Sequence, residues 1–236
     1  MPPALRADQK APQLDILIPH HANPSGLEKT LASVTEQSWC RDPACRLRVI
    51  TVDDGSPEVD FAAVKMSYSR FLHQRGQALL LERLVDNRGR PFVRNLLLDL
   101  AWLDLGDVWY PDNLAVQFAH LANCTAAGQD TDDLWISCAY DWEQDGQRVA
   151  RTQRIAGDQF VALLVGEHLR GYLWTMLATR HAFARVGRFD TDLPRLQGLH
   201  YCIAFLCAGG RITVSPDLAP LCCYFKSQQG RDAQQV

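Results

Sequence analysis

Three polar segments in this chain each follow an apolar run. The first is Asp53-Asp54-Gly55-Ser56, which closes the β-branched stretch RLRVITV. Two adjacent carboxylates repel one another unless solvent, a metal ion or a donor-rich ligand relieves them. One of them can accept hydrogen bonds from a base or a ribose. The plainer alternative is a solvated turn, with Gly at the bend and Ser capping the next helix. The second segment is Asn87-Arg88-Gly89-Arg90, followed by Arg94-Asn95. Arg presents a planar fork suited to phosphate, and Asn offers both donors and acceptors. Helical spacing puts Arg90 and Arg94 on one face, which is otherwise an ordinary solvated basic face. The third runs from Trp102 to Pro111 and carries Asp104 and Asp107 in an aromatic setting. Carboxylates there are costly unless paired or bound to a metal. Hard oxygen ligands suit Mg²⁺ or Mn²⁺, which commonly bridge to phosphates. The alternative is a tight turn in which Asp107 caps the next element and Asp104 is exposed.

These residues need a scaffold. LDILIP (14–19) is a short apolar run closed by Pro19, the pattern of a buried strand, and His20 follows it. Ser25-Gly26-Leu27-Glu28 has the pattern of a capping box, so a helix is expected from about Ser25 to Gln37. Strands are expected within 46–57 and over 77–85, and helices over 58–73 and from Pro91 onward. This strand–helix alternation predicts an α/β fold with a mainly parallel central sheet and helices on both faces. In such sheets ligands bind beyond the carboxyl ends of the strands. That rule selects His20, Asp53, Asp54, Asn87 and Arg88. The second half is less regular, with helices expected over 111–122, 159–168 and 197–208, and strands over 133–140, 211–214 and 219–225.

The chain has 236 residues, 47% apolar and 22% charged, which fits one globular domain and excludes disorder. We divide it into a lead (1–13), a domain (14–226) and a tail (227–236), with the domain in two halves, 14–110 and 111–226. The net charge of -3 argues against a general nucleic-acid binder. No apolar run reaches the ~18 residues of a membrane span, and MPPALRADQKAP lacks the pattern of a secretory signal. The eight cysteines sit mostly in apolar runs and form no CxxC, so reduced structural thiols in a cytoplasmic protein are expected.

Five segments, taken together, resemble the family 2 glycosyltransferases: ILIPHHANPSGLEKTLASVTEQSW, RVITVDDGSP, DNRGRPFVRN, WLDLGDVWYPDNL and FARVGRFDTDLPRLQ. They occur in the family's order and cover most of residues 14–210. The resemblance implies a GT-A fold that binds a nucleotide-sugar, with 14–110 the nucleotide-binding half, 111–226 the acceptor half and UDP-sugar the expected donor. It implies that Pro19 and His20 border the nucleotide. Asp53 would contact uracil or ribose with Asp54 beside it, and Asn87 and Arg94 would line the base and phosphate pocket. Asp104 and Asp107 match the outer acids of the family's metal-binding pattern, so Mg²⁺ or Mn²⁺ would neutralise the departing diphosphate. The acceptor would be a saccharide or a lipid-linked glycoconjugate in polysaccharide assembly. A lipid-linked acceptor would bring the protein into peripheral contact with the inner face of a membrane.

The chain departs from the family in three places. Leu105-Gly106 replaces the middle of the metal motif. The stretch between Asn95 and Asp104 is too short for the rest of a helix, a turn and a strand. The family's base, an acid near a helix start after GRFD, falls at Gly198, and a second usual acid position falls at His200. His200 is the remaining side chain there able to take a proton, its ordinary pKa being about 6.5. Asp190 and Asp192 are expected to shape the turn after Phe189. Trp142, Tyr172 and Trp174 are aromatic candidates for acceptor stacking, with packing the plainer role. Two functions follow: an inverting transferase, or a catalytically impaired nucleotide-sugar-binding module that acts with a partner.

Overall fold

The computed structural model describes residues 13–42, 45–75, 78–98, 107–193 and 195–225. Strand β1 (Gln13–His20) pairs in parallel with β2 (Arg46–Asp53), and β2 with β3 (Ala78–Arg83). Parallel neighbours need crossovers, and helices α1 (Pro24–Thr35) and α2 (Glu58–Arg75) supply them. Alternation along β1 decides the layering. Ile16 and Ile18 face one core with Leu27, Leu31 and Val34 of α1 and Val64 and Tyr68 of α2. Leu17 faces the other, with Ile50 and Val52 of β2 and Val93 and Leu97 of α3 (Arg90–Leu98). Each such buried aliphatic contributes roughly 1.5–3 kcal/mol. The parallel sheet with helices on both faces is therefore as expected.

The cap of α1 corrects the expected capping box. Asn23, not Ser25, is the N-cap: its side chain accepts from the Gly26 amide at 3.0 Å, and Pro24 occupies the first turn.

The second half is built from two mixed sheets. One orders β4 (Val108–Trp109), β10 (Cys222–Phe225), β6 (Tyr140–Gln144) and β7 (Gln147–Arg151). The other orders β8 (Leu177–Ala178), β5 (Leu134–Ser137) and β9 (Arg211–Val214). The single strand expected over 133–140 is thus two strands in different sheets. The break falls at Cys138-Ala139, where the buried Gln153 amide donates to the Cys138 carbonyl at 3.3 Å and also to Ser137 Oγ. The strand β7 and helix α6 (Arg180–Val186) were not foreseen. Helices α4 (Asn113–Ala126), α5 (Gln159–Val165) and α7 (Gln197–Cys207) match expectation within a few residues. A second core centres on Trp135, stacked on Phe205 at 4.1 Å, with Tyr201, Phe189 and Leu163 around it. No described helix is long and apolar enough to cross a membrane. No disulfide joins any of the eight cysteines.

Candidate functional site

The register of the parallel sheet places His20 beside Asp53, and Asp53 beside Arg83, at the carboxyl ends of the three strands. These side chains turn inward. His20 Nδ1 lies 2.6 Å from Asp53 Oδ1, with both side chains fully buried. His20 Nε2 accepts the Asn23 amide at 3.3 Å, so Nδ1 carries the proton and donates it to Asp53. Ser56 donates its hydroxyl to Asp53 Oδ1 and its amide to Oδ2, at 2.5 and 3.1 Å. The same hydroxyl accepts the Ala22 amide at 2.8 Å. Ser56 thus ties the β1 turn to the β2 turn. Arg83 closes the cluster, with Nε 3.7 Å from Asp53 and a second nitrogen on Glu58 at 2.6 Å. That hydrogen bond holds the exposed Glu58 carboxyl below its ordinary pKa.

Asp54 does a different job. Its Oδ1 accepts the Arg88 amide at 2.7 Å and its Oδ2 the Gly89 amide at 2.9 Å. The carboxylate therefore pins the loop that precedes α3. Gly55 lets the two turns meet: a Cβ there would lie 2.5 Å from the Asp86 carbonyl carbon, and its φ of +66° is left-handed. What results is a buried floor (His20, Asp53, Ser56) under a rim of exposed polar groups. His21, Asn87 and Arg88 form that rim, and Pro19 lies buried behind it. Sequence reasoning did not select Ser56 or Arg83 for the site. The register opposite Asp53 was the available signal for Arg83.

Arg94 is 5% exposed and donates to Gln197 Oε1 at 2.6 Å, with Phe189 under its guanidinium at 5.5 Å. Its neighbour Asn95 accepts the Phe189 amide at 2.6 Å and donates to the Phe189 carbonyl at 2.9 Å. Both side chains therefore fasten α3 to the segment leading into α7. The structure does not bring Arg94 to the Asn87 rim through any of these contacts.

Asp107 is buried at the start of β4, where Thr30 of α1 donates to its carbonyl at 3.0 Å. α1 thus links the end of β1 to the head of β4. Asp104 lies outside the described residues. Among the described residues no three His, Cys, Asp or Glu side chains form a metal-sized cluster. They supply one ligand of the expected pair, which is too few to define a metal centre.

His200 is exposed on the first turn of α7, one turn after Gln197. Gly198 packs against Gly171: a Cβ at 198 would lie 2.6 Å from the Gly171 carbonyl oxygen. Asp190 accepts the Asp192 amide at 2.9 Å, the turn-shaping role expected of that pair. Trp142, Tyr172 and Trp174 join one aromatic ladder with Tyr140 and Tyr224, in which Trp174 stacks on both Tyr172 and Tyr224 at 5.2 and 5.5 Å.

The chain matches no protein-family model and no curated protein by sequence. Solved structures do match it. S. aureus TarS 1-349 in complex with UDP superposes with a TM-score of 0.64 at 16% identity, over 90% of this chain and 60% of that one. The mannosyltransferase PcManGT from Pyrobaculum calidifontis, in complex with GDP-Man and Mn²⁺, gives 0.64 at 21% identity, over 93% and 59%. A longer TarS structure gives 0.65 at 16% identity, over 90% and 36%. The fold is the GT-A-like fold. The chain spans about 36–60% of the length of these structures.

Proposed function

We propose that this chain is a family 2 glycosyltransferase domain. It holds a nucleotide-sugar, a UDP-sugar by preference, beyond the carboxyl ends of β1 to β3. It passes the glycosyl group with inversion to a saccharide or lipid-linked acceptor. The observation that carries this is the Asn87–Gly89 loop pinned on Asp54 above the His20–Asp53–Ser56 floor. That arrangement leaves a polar rim at the strand ends, in a fold shared with structures solved with UDP and with GDP-Man.

In this assignment Pro19, His20 and Asp53 shape the base side of the site. Asp54 sets the loop, and Asn87 and Arg88 face the donor. Arg94 acts on the site through α7. Asp104 and Asp107 are the pair assigned to Mg²⁺ or Mn²⁺, and no step is routed through the metal. In the transfer itself, the acceptor oxygen bonds to the anomeric carbon. The bond from that carbon to the diphosphate oxygen breaks, and the nucleotide leaves with the electron pair. The acceptor proton goes to a base, the role we assign to His200.

A specific observation favours the impaired module as a second function. The Gly171 carbonyl fills the space a side chain at 198 would need, so no acid can stand there without backbone movement. Calorimetric titration of UDP, with and without Mn²⁺, tests the donor site. The expected result is UDP binding that tightens with Mn²⁺. Failure to bind both UDP and GDP would remove the donor site. Binding without hydrolysis or transfer of any UDP-sugar would select the impaired module.

A further inference from the structure

The aromatic ladder of the second half ends on Tyr172, and two arginines stand at that end. Tyr172, Trp174 and Tyr224 form a parallel stack with Trp174 in the middle. Tyr140 meets both Tyr172 and Trp174 edge-on, at 5.6 and 4.9 Å, so it flanks the stack rather than covering its end. Tyr172 is half-buried, and no other described ring lies on its outer face. The strand register brings the charge. Tyr140 of β6 lies opposite Arg151 of β7, so both side chains leave the sheet on the same side. Arg170 donates to the Tyr172 hydroxyl at 3.4 Å. Neither guanidinium has a carboxylate partner among the described residues: Glu167 is on His168 at 3.3 Å, and Glu143 takes Arg148 at 2.7 Å.

The Tyr140 hydroxyl is buried and has no hydrogen-bond partner among the described residues. Buried hydroxyls are normally paired, so an unpaired one points to a ligand atom. Burial, and then the Tyr172 hydroxyl, push its pKa up to about 12, while the Arg170 and Arg151 charges pull it down. Both cations therefore stand near this one hydroxyl. The position of the cluster suits an acceptor. Trp109 of β4 donates its indole N–H to the Trp174 carbonyl at 3.3 Å, which fastens the ladder to the strand that follows Asp107. Gly171, between Arg170 and Tyr172, packs on the front of α7, where a Cβ at 171 would lie 2.9 Å from the Leu199 Cα. His200 is the next residue of that turn. A sugar ring offers an apolar C–H face to an aromatic ring and hydroxyls at its edge to phenol groups. Two guanidinium groups without an ion pair add a demand for an acidic substituent, a carboxylate or a phosphate.

We propose that the outer face of Tyr172, with Tyr140, Arg151 and Arg170, binds a sugar that carries an acidic group. Only the sugar's role as acceptor rests on the proposed transfer; its binding does not. The test is saturation-transfer NMR of the full chain with glucuronate, glucose 6-phosphate and glucose, each with and without excess UDP. An acidic sugar is expected to bind at least about tenfold more tightly than glucose, and UDP should not displace it. Glucuronate alone would assign a carboxylate, glucose 6-phosphate alone a phosphate, and either supports the site. Arg151→Gln with Arg170→Gln should bring the acidic sugars down to the level of glucose. Tyr172→Leu should weaken every sugar, at unchanged circular dichroism. The inference is overturned if no sugar binds, if glucose binds as tightly as the acidic sugars, or if inorganic phosphate binds as tightly as glucose 6-phosphate. Displacement by UDP also overturns it, because this face would then seat a nucleotide. Acidic-sugar binding by a chain that binds no nucleotide would remove the donor site and leave this one standing.

Discussion

Asp54 is the most direct handle on how the Asn87–Gly89 loop is held. Its carboxylate is 4% exposed and receives two backbone amides, from Arg88 at 2.7 Å and Gly89 at 2.9 Å. A hydrogen bond to a charged group contributes about 1.5–3 kcal/mol net. Asp54→Asn keeps one acceptor oxygen but turns a donor toward the other amide, so it should cost about 1.5–3 kcal/mol. Asp54→Ala removes both acceptors. The Gly89 amide has a second partner in Asn87 Oδ1 at 3.0 Å, which limits the loss. About 2.5–4 kcal/mol is then expected for Ala, a large share of the ~5–15 kcal/mol that holds a domain folded. Urea unfolding followed by tryptophan fluorescence reads these costs, with unchanged slope as the check on two-state behaviour. UDP titration on the folded fraction should weaken in the same order, wild type, Asn, Ala. The reasoning fails if Asn lies within ~0.5 kcal/mol of wild type, or if Ala costs no more than Asn.

Two other outcomes follow from the packing and the buried protons. Gly198→Ala drives a Cβ to 2.6 Å from the Gly171 carbonyl, so thermal unfolding should register a loss of about 1–3 kcal/mol, with Gly198→Asp no better. Burial pushes the Cys45 and Cys223 thiols up to about 11 and the Tyr140 hydroxyl up to about 12. The unfolded chain gives up these protons earlier, from the ordinary values of 9.0 for Cys and 10.0 for Tyr, so it binds fewer protons than the folded state above about pH 9. Stability is therefore full below that pH and falls as pH rises toward 12. The urea midpoint should drop between about pH 8 and about pH 10.5, and a flat midpoint would refute it.

The three parallel strands and their helices were legible because each signal is local. A short apolar run closed by Pro19 marks β1, β-branched residues mark β2, and Pro91 marks the start of α3. The strand-end placement of Asp53 and Asp54 followed from those elements. Their orientation did not. Asp53 turns inward because the register sets His20 beside it and Ser56 reaches back over it. Asp54 turns toward Arg88 because Gly55 lets the 86–87 backbone close on the β2 turn. Arg94 shows the same limit more sharply. Its spacing from Arg90 suggests a basic face, yet its partner, Gln197, is 103 residues away. The cap of α1 is different, because Asn23-Pro24 was a readable signal and the Ser25 pattern competed with it. The change of sheet at Cys138-Ala139 depends on Gln153, which no periodicity of residues 133–140 reveals.

Helix α3 joins the two halves of the site. It starts at the loop held by Asp54, and through Arg94 and Asn95 it grips Gln197 and Phe189. Phe189 in turn stacks on Tyr201 at 3.9 Å, inside the second core. A shift of α7 therefore has a rigid route to the Asn87 rim, made of packed side chains and paired hydrogen bonds. The front of α7 is also where the proposed function would look for an acid and the chain has Gly198. Gly198 and Gly171 fit each other: a Cβ at 171 would lie 2.9 Å from the Leu199 Cα, just as one at 198 meets the 171 carbonyl. One substitution cannot place a carboxylate at 198 without parting these two segments, and parting them would move Gln197 and strain its bond to Arg94. The hydrogen bonds that hold the Asn87 rim need none of that movement. On the proposed function, donor binding and proton removal then separate physically, because the rim is built without the segments in which Gly198 and Gly171 meet.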